Sequence, residues 1–293
     1  MATVPNLTTQ DLTSATDANL IRNAILILLN RTDANAYGVL PQSTAASASI
    51  QIATADYWSR LYQDVNNCYR HRTGVNIPGV TQPNTTTITA STLNALYNAA
   101  AASVSNRYDV AASQLETNTD DLVFTPGVAW DNAAAYAYSW TWDTDLEAGW
   151  HFNLGGYHRF ELTASAGTGS VADQALQQAV SAAASVISQS YTRSDWESRE
   201  LIVFSHTATT PVGDISISVS YSRQPDSRTL VGTITVITPE NMVFNSQLTG
   251  YFKYWRSHDA ISAARPVTDE LTRVLGVSED SGTLSLRAGG REG

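Results

Sequence analysis

Residues 150–165 read Trp150-His151-Phe152-Asn153-Leu154-Gly155-Gly156-Tyr157-His158-Arg159-Phe160-Glu161-Leu162-Thr163-Ala164-Ser165, and they stand where helical sequence gives way to strand sequence. Positions 150–153 and 157–164 each predict a short strand. Gly155-Gly156 would join them as a hairpin, because two adjacent glycines tolerate positive φ and permit a tight reversal. The stretch gathers two histidines and an arginine around the double glycine, yet it contains no catalytic motif.

On its N-terminal side the chain is helical in pattern. Residues 1–11 are polar with Pro5 and read as an arm. Ser14, Thr16 or Asp17 is placed to cap a helix running to about Arg31, with Leu20, Ile21, Ala24, Ile25, Leu28 and Leu29 along one stripe. Two further helices are predicted behind Thr54 and Thr89, in segments that resemble each other at an offset of 35 residues (54–62 and 89–97). Residues 73–87, rich in Pro, Gly, Asn and Thr, read as a loop between them. The second of these helices is expected to reach about Tyr108.

Residues 116–130 lack periodicity and contain Pro126-Gly127, so the domain boundary is placed there. Beyond it, Tyr136, Tyr138, Trp140 and Trp142 alternate with small residues, a strand with one aromatic face. Residues 171–191 predict a long amphipathic helix and 201–206 a strand. Residues 214–221 alternate strictly, Ile215, Ile217, Val219 and Tyr221 against serines, as a strand of an antiparallel sheet does. Residues 229–238 pair back across the turn at 224–227. Residues 248–255 carry large side chains on both faces and predict a last strand that is central or buried by a neighbour. A short helix is expected at 267–275, and 278–293 reads as a tail. The fold class is therefore α+β: a helical N-terminal region (1–125), then a mainly antiparallel sheet with one long packed helix (126–275), then a flexible tail (276–293).

Composition narrows the partners. The formal charge is −10 over 293 residues, which argues against broad binding to nucleic-acid phosphates. Only 15% of residues are charged, and neutral polar surface of this kind fits a protein that covers itself with copies or partners. Cys68 is the sole cysteine, so an intrachain disulfide or a thiolate metal cluster within one chain is excluded. No secretory signal is visible and no apolar run is long enough to cross a bilayer, so a soluble chain made in the cytoplasm is expected.

Four groups of residues invite chemistry. Gly167-Thr168-Gly169-Ser170-Val171-Ala172 has the form of a dinucleotide-binding turn between strand and helix. The strand before it alternates, however, and the next strand does not end in an acidic residue, so a plain glycine-rich connection is the expectation. His151, His158, His206 and His258 fall on or beside predicted strands without ligand spacing and read as structural or surface residues. Asp143, Asp145 and Glu147, like the pair Asp120-Asp121, read as solvated turn residues, with calcium ligation as the alternative. The aromatic face Tyr136, Tyr138, Trp140, Trp142 reads as core or subunit contact, with sugar stacking as the alternative. No cofactor is expected.

The segment Phe152-Asn153-Leu154-Gly155-Gly156-Tyr157-His158-Arg159-Phe160 resembles an aromatic-Asn-x-Gly-Gly-x-x-Arg-Phe motif of virion structural proteins of tailed bacteriophages, those of cyanophage-like myoviruses and their relatives. Leu154 stands where that group usually has Ala. Ile88–Leu96, Tyr57-Trp58 and His71-Arg72-Thr73-Gly74 are similar to that group as well. The resemblance implies a non-enzymatic subunit in the tail, baseplate, neck or fibre-attachment region, assembled in the host cytoplasm. Its partners would be copies of itself and other virion proteins, with no nucleic acid and no membrane span. Phe152, Asn153, Gly155, Gly156, Arg159 and Phe160 then mark a structural or interface element, with Arg159 pairing a carboxylate across strands or across a subunit boundary. A receptor- or glycan-binding module and a nucleotide-binding enzyme are the alternatives.

Overall fold

The computed structural model describes residues 15–46, 55–83, 88–124, 133–240, 242–257, 268–276 and 283–286; for 114–124, Tyr136 and the strands beyond residue 249 it describes the backbone alone. The arm at 1–11, Ser14, Thr54, Pro126-Gly127, His258 and most of the tail lie outside these residues. The fold is α+β, helices first and antiparallel strands after them. The chain divides into two compact units. The first comprises Met1–Glu116, Gly149–Gly155 and Arg256–Ala264; the second comprises Thr117–Ala148, Gly156–Trp255 and Arg265–Gly293.

In the first unit, helix α3 (Ala90–Ser105) packs on both α1 (Ala15–Ile25) and α2 (Ala55–Thr73). Trp58, Leu61, Val65 and Cys68 recur at helical spacing along α2 and are buried to 1% exposure or less, with Ile25, Leu28 and Leu96 against them. Burial, reinforced by the nearby Asp64 carboxylate, pushes the Cys68 thiol far above its ordinary range, which fits a packing residue. Asp64 is itself buried and accepts from the Gln42 and Ser43 amides (both 2.9 Å) and from the Ser43 hydroxyl, so α2 carries the anchor for the loop before it. Helix α1 stops at Ile25, short of the expected Arg31. Residues 26–29 turn instead, and the Tyr37 amide bonds back to the Leu28 carbonyl at 2.8 Å. α3 begins where the sequence placed it, with Thr89 accepting from the Thr92 amide. Thr89→Ala is expected to cost about 1 kcal/mol, read as a shift in the denaturant midpoint; an unchanged midpoint would show the cap to be idle.

The second unit holds two sheets. One has the order β1-β7-β3 (Leu115–Phe124, Leu248–Ser257, Tyr157–Ala164), the other β4-β5-β6-β2-β8-β9 (Ile202–Thr210, Gly213–Arg223, Thr229–Ile237, Ala133–Thr141, Thr268–Gly276, Thr283–Leu286). β7 is central, as its two-sided bulk predicts. Helix α5 (Val171–Ile187) lays Leu176, Ala179, Val180, Ala183 and Ile187 against β3, β4 and β5. The inner face of the larger sheet is Ile215, Ile217, Val219 and Tyr221 of β5, Leu230, Ile234 and Val236 of β6, and Ala134, Tyr138 and Trp140 of β2, all 2% exposed or less. Phe160 of β3 seats its ring over Gly232, where a Cβ would lie 2.4 Å from it.

Four expectations are corrected. Residues 150–153 are not a strand: they are the end of helix α4 (Asp145–Asn153), so Gly155-Gly156 closes no hairpin. Residues 115–124 form β1, overlapping 116–130, read as irregular, and residues 268–276 form β8 in place of the helix expected at 267–275. Residues 283–286, inside the expected tail, pair with β8 as β9.

Candidate interaction surface

The double-glycine motif is where the chain passes between the two units, the first ending at Gly155 and the second beginning at Gly156. Thr144 starts α4 by accepting from the Glu147 amide at 3.1 Å, and Asp145 and Glu147 occupy its first turn, where carboxylates complement the helix dipole. Asp143, Asp145 and Glu147 are thus the entry to a helix rather than the turn between two strands. In the last turn, Trp150 Nε1 donates to the Asp33 carbonyl at 2.9 Å. Asn153 Nδ2 donates to the carbonyls of Ala36 (3.0 Å) and Ala34. Phe152 is 2% exposed. Gly155 then takes φ +80° as the left-handed residue that ends the helix, its α-carbon pressed against Val110, where a Cβ would stand 2.9 Å away. The two glycines therefore serve a helix-to-strand passage, and the buried Gly156 opens the approach to β3.

Past the glycines, Phe160 is fully buried and its amide donates to the Tyr221 hydroxyl at 3.0 Å. Burial pushes that phenol far up, only partly offset by the Phe160 amide, so Tyr221 stays a neutral hydrogen-bonding core residue. Arg159 pairs with Glu161 at 2.6 Å, two residues along its own strand.

The aromatic strand is core. Tyr138, Trp140 and Trp142 are 2% exposed or less, and Tyr136 lies outside the described side chains. Trp140 packs on Tyr138 and His158 (ring centres 4.5 and 4.3 Å apart), and Trp142 sits edge-on to Trp196 at 5.6 Å. These faces are closed to a sugar ring. His158, fully buried between Trp140 and Trp142, joins its backbone to Tyr191 through two hydrogen bonds. His71 and His151 are buried in the first unit, and His206 is half-buried on β4. No three ligand-type side chains converge among the described residues. Side chains at Asp120-Asp121 are not among those described.

The glycine-rich turn at 167–172 is filled by the protein itself. The strand before it, β3, is antiparallel to β7, not the parallel strand a dinucleotide fold supplies. Asp173, in the first turn of α5, is fully buried and occupies the position an anion would take. It accepts from the Thr168 amide (2.9 Å) and hydroxyl (2.7 Å), and across the fold from the amides of Asn245 (2.7 Å) and Ser246 (2.9 Å). Burial raises the carboxyl and these donors outweigh it, holding Asp173 well below the ordinary aspartate range. Gly167, at φ +55°, has room for no Cβ: Asp173 Cγ and the Ser246 amide would each lie 2.7 Å away. Nothing in the sequence marked Asp173, beyond its place three residues behind the capping Ser170.

The larger sheet has a second face. The register puts Val203, Ser220, Thr233 and Ala137 in one row, Ser205, Ser218, Thr235 and Ala135 in the next, and Thr207, Ser216, Ile237 and Ala133 in a third. By backbone register the first two rows continue into Thr272 and Ser285, and into Val274 and Thr283. No charged residue falls in these rows. Val203 and Ile237 stand 52% and 53% exposed. Thr207 and Ser216 share a hydrogen bond at 2.8 Å within the third row, and Thr141 and Thr229 share one at 3.3 Å outside the three rows. The alternation of residues 214–221 announced a polar face on β5; the missing signal was the register, which sets β4, β6 and β2 in line with it.

Compared with known protein families, with characterised proteins and with solved structures, the chain matches none. Among the described residues no helix is long and apolar enough to cross a membrane.

Proposed function

We propose that this chain is a non-enzymatic structural subunit of a tailed-phage virion, in the tail, baseplate, neck or fibre-attachment region, acting through contacts with copies of itself and with other virion proteins. The resemblance over Phe152–Phe160 supplies the family. The observation that carries the reading toward assembly is the run of three uncharged rows on the outer face of the larger sheet. Buried interface centres lose charge and favour flat, well-packed surface, whereas a reacting site needs convergent titratable groups. Of the residues that promised chemistry, His158 and Trp140 are engaged in the interior of the fold, and the glycine-rich turn at 167–172 is filled by the Asp173 carboxylate.

The test is protein identification with copy number in particles purified from the phage that encodes the chain. Stoichiometric presence at a multiple of a ring symmetry is the expected result. Absence from intact particles, with the chain abundant in the infected cell, would overturn the proposal.

A further inference from the structure

We infer that the free edge of β4 (Ile202–Thr210) takes up an extended strand of a different protein, which joins the larger sheet through main-chain hydrogen bonds. The inference rests on the structural reading above and names the kind of partner.

Sheet edges are ordinarily guarded, because their unpaired N–H and C=O groups are a template for any extended chain. The other described edges of the second unit carry such guards. β9 is only four residues long. The sequence of β1 holds Glu116, Asp120 and Asp121. β3 is bridged at His158 to Tyr191. β4 ends the larger sheet and has none of these devices. Its nine residues include no Pro, Lys, Arg, Asp or Glu. They pair with β5 from Ile202↔Tyr221 to Thr210↔Gly213 without a bulge, and none of them is buried.

The core layer also runs out to this edge only half covered. Ile202, Phe204, His206 and Ala208 share rows with Tyr221, Val219, Ile217 and Ile215 of β5. Those four β5 residues are 1% exposed or less, whereas their neighbours on β4 are all half-buried. A strand laid beside β4 would cover Ile202, Phe204 and Ala208 while it pairs the outward backbone groups of alternate residues.

These two features specify the occupant. A line of backbone donors and acceptors at every second residue is matched by an extended chain, and a folded neutral surface does not present that line. The side chains of the added strand must alternate, apolar on the side of Phe204 and small or hydroxyl-bearing beside Val203, Ser205, Thr207 and Thr209. A second copy of β4 fits this pattern less well. Antiparallel overlap of all nine residues sets Ile202 opposite Thr210 and therefore His206 opposite His206, so two polar rings meet in the middle of the apolar row.

Fluorescence anisotropy of the full chain with a labelled synthetic peptide of the sequence 213–223 tests this. β4 already accepts that sequence on its other side, and its alternation of apolar residues with serine is the pattern required. Saturable binding is expected, with hydrogen exchange slowed within Ile202–Thr210. Two further peptides carry N-methyl groups at alternate residues, either 215, 217 and 219 or 216, 218 and 220. One of the two should lose affinity at least about tenfold and the other keep it, because only one side of an added strand faces β4. Val203→Lys and Thr207→Lys should each weaken binding at least about tenfold. Both side chains are exposed, so the melting temperature should hold and serve as the check on folding.

Absence of saturable binding up to about 1 mM peptide overturns the inference. Binding that both N-methylated peptides, or both lysine variants, leave unchanged is adhesion by side chains and overturns it as well. A chain that is dimeric without peptide and that Thr207→Lys makes monomeric assigns the edge to a second copy, and overturns it too. Failure here is separable from failure of the structural reading, since presence in particles is measured independently of strand uptake.

Discussion

Replacing Asp173 with alanine should destabilise the second unit by about 3–5 kcal/mol, because the carboxylate is the acceptor for donors from two distant stretches of chain. Without it the amides of Asn245 and Ser246, drawn into a buried position, lose their partner, and the turn at 167–169 loses its centre. Asp173→Asn keeps the shape and one acceptor oxygen, so it should cost less than alanine. The pH dependence has a definite sign. Asp173 is held below its ordinary value of 3.8, so its contribution is fully present above that value and drains away as pH falls through the lower folded value. The gap in melting temperature between wild type and Asp173→Asn should therefore be constant near neutrality and narrow below about pH 4. A loss under about 1 kcal/mol for the alanine variant would mean that water replaces the carboxylate and that the clasp is dispensable.

Gly38→Ala should be of comparable size, about 3–5 kcal/mol, in the first unit, for two reasons that add. Gly38 sits at φ +73°, and a Cβ there would stand 2.3 Å from Cδ2 and 2.4 Å from Cε3 of Trp150. The indole has little freedom to retreat, since its Nε1 is bonded to the Asp33 carbonyl and its helix is tied down by Asn153. Gly79 is the internal comparison. Its φ is +70° with nothing within 4 Å of a built Cβ, so Gly79→Ala bears the backbone cost alone, about 1 kcal/mol. Equal destabilisation by the two substitutions, in chemical unfolding followed by circular dichroism, would remove the indole from the explanation.

The structural proposal gains a physical context from these two locks. Both tie sequence-distant loops to a helix end. A sheet that presents three neutral rows on its outer side suits an assembly in which the contact, rather than a mobile loop, carries the function.

Much of the architecture was legible because it is periodic. The serine alternation over 214–221 gave β5, the aliphatic stripe over 171–187 gave α5, and Thr89 gave the start of α3. The aromatic alternation at Tyr138, Trp140 and Trp142 identified β2 and its buried side. Where the pattern fitted both periods, local reading failed. Residues 151–154 are all buried, so nothing in their polarity distinguishes a helix from a strand; the cap at Thr144 and the carbonyls at 33–36 decide it. In 268–276, Leu271 and Leu275 are spaced for a helix as well as a strand, and pairing with β2 decides for the strand. The polar residues of β1 carry no strand signal of their own, and β7 supplies the partner.

The sequence by itself determined the class of fold, the positions of its strongly periodic helices and strands and the mark at Gly155-Gly156, because backbone preference and alternation are properties of neighbours along the chain. What that mark does was decided only in three dimensions. Gly155 ends a helix at positive φ against Val110, and the chain crosses from one compact unit to the other at the next residue. The anchoring role of Asp173 and the continuity of the neutral face likewise arise from contacts between stretches far apart in sequence. Register and hydrogen-bond partnership are set by which segments meet, and no local pattern encodes that.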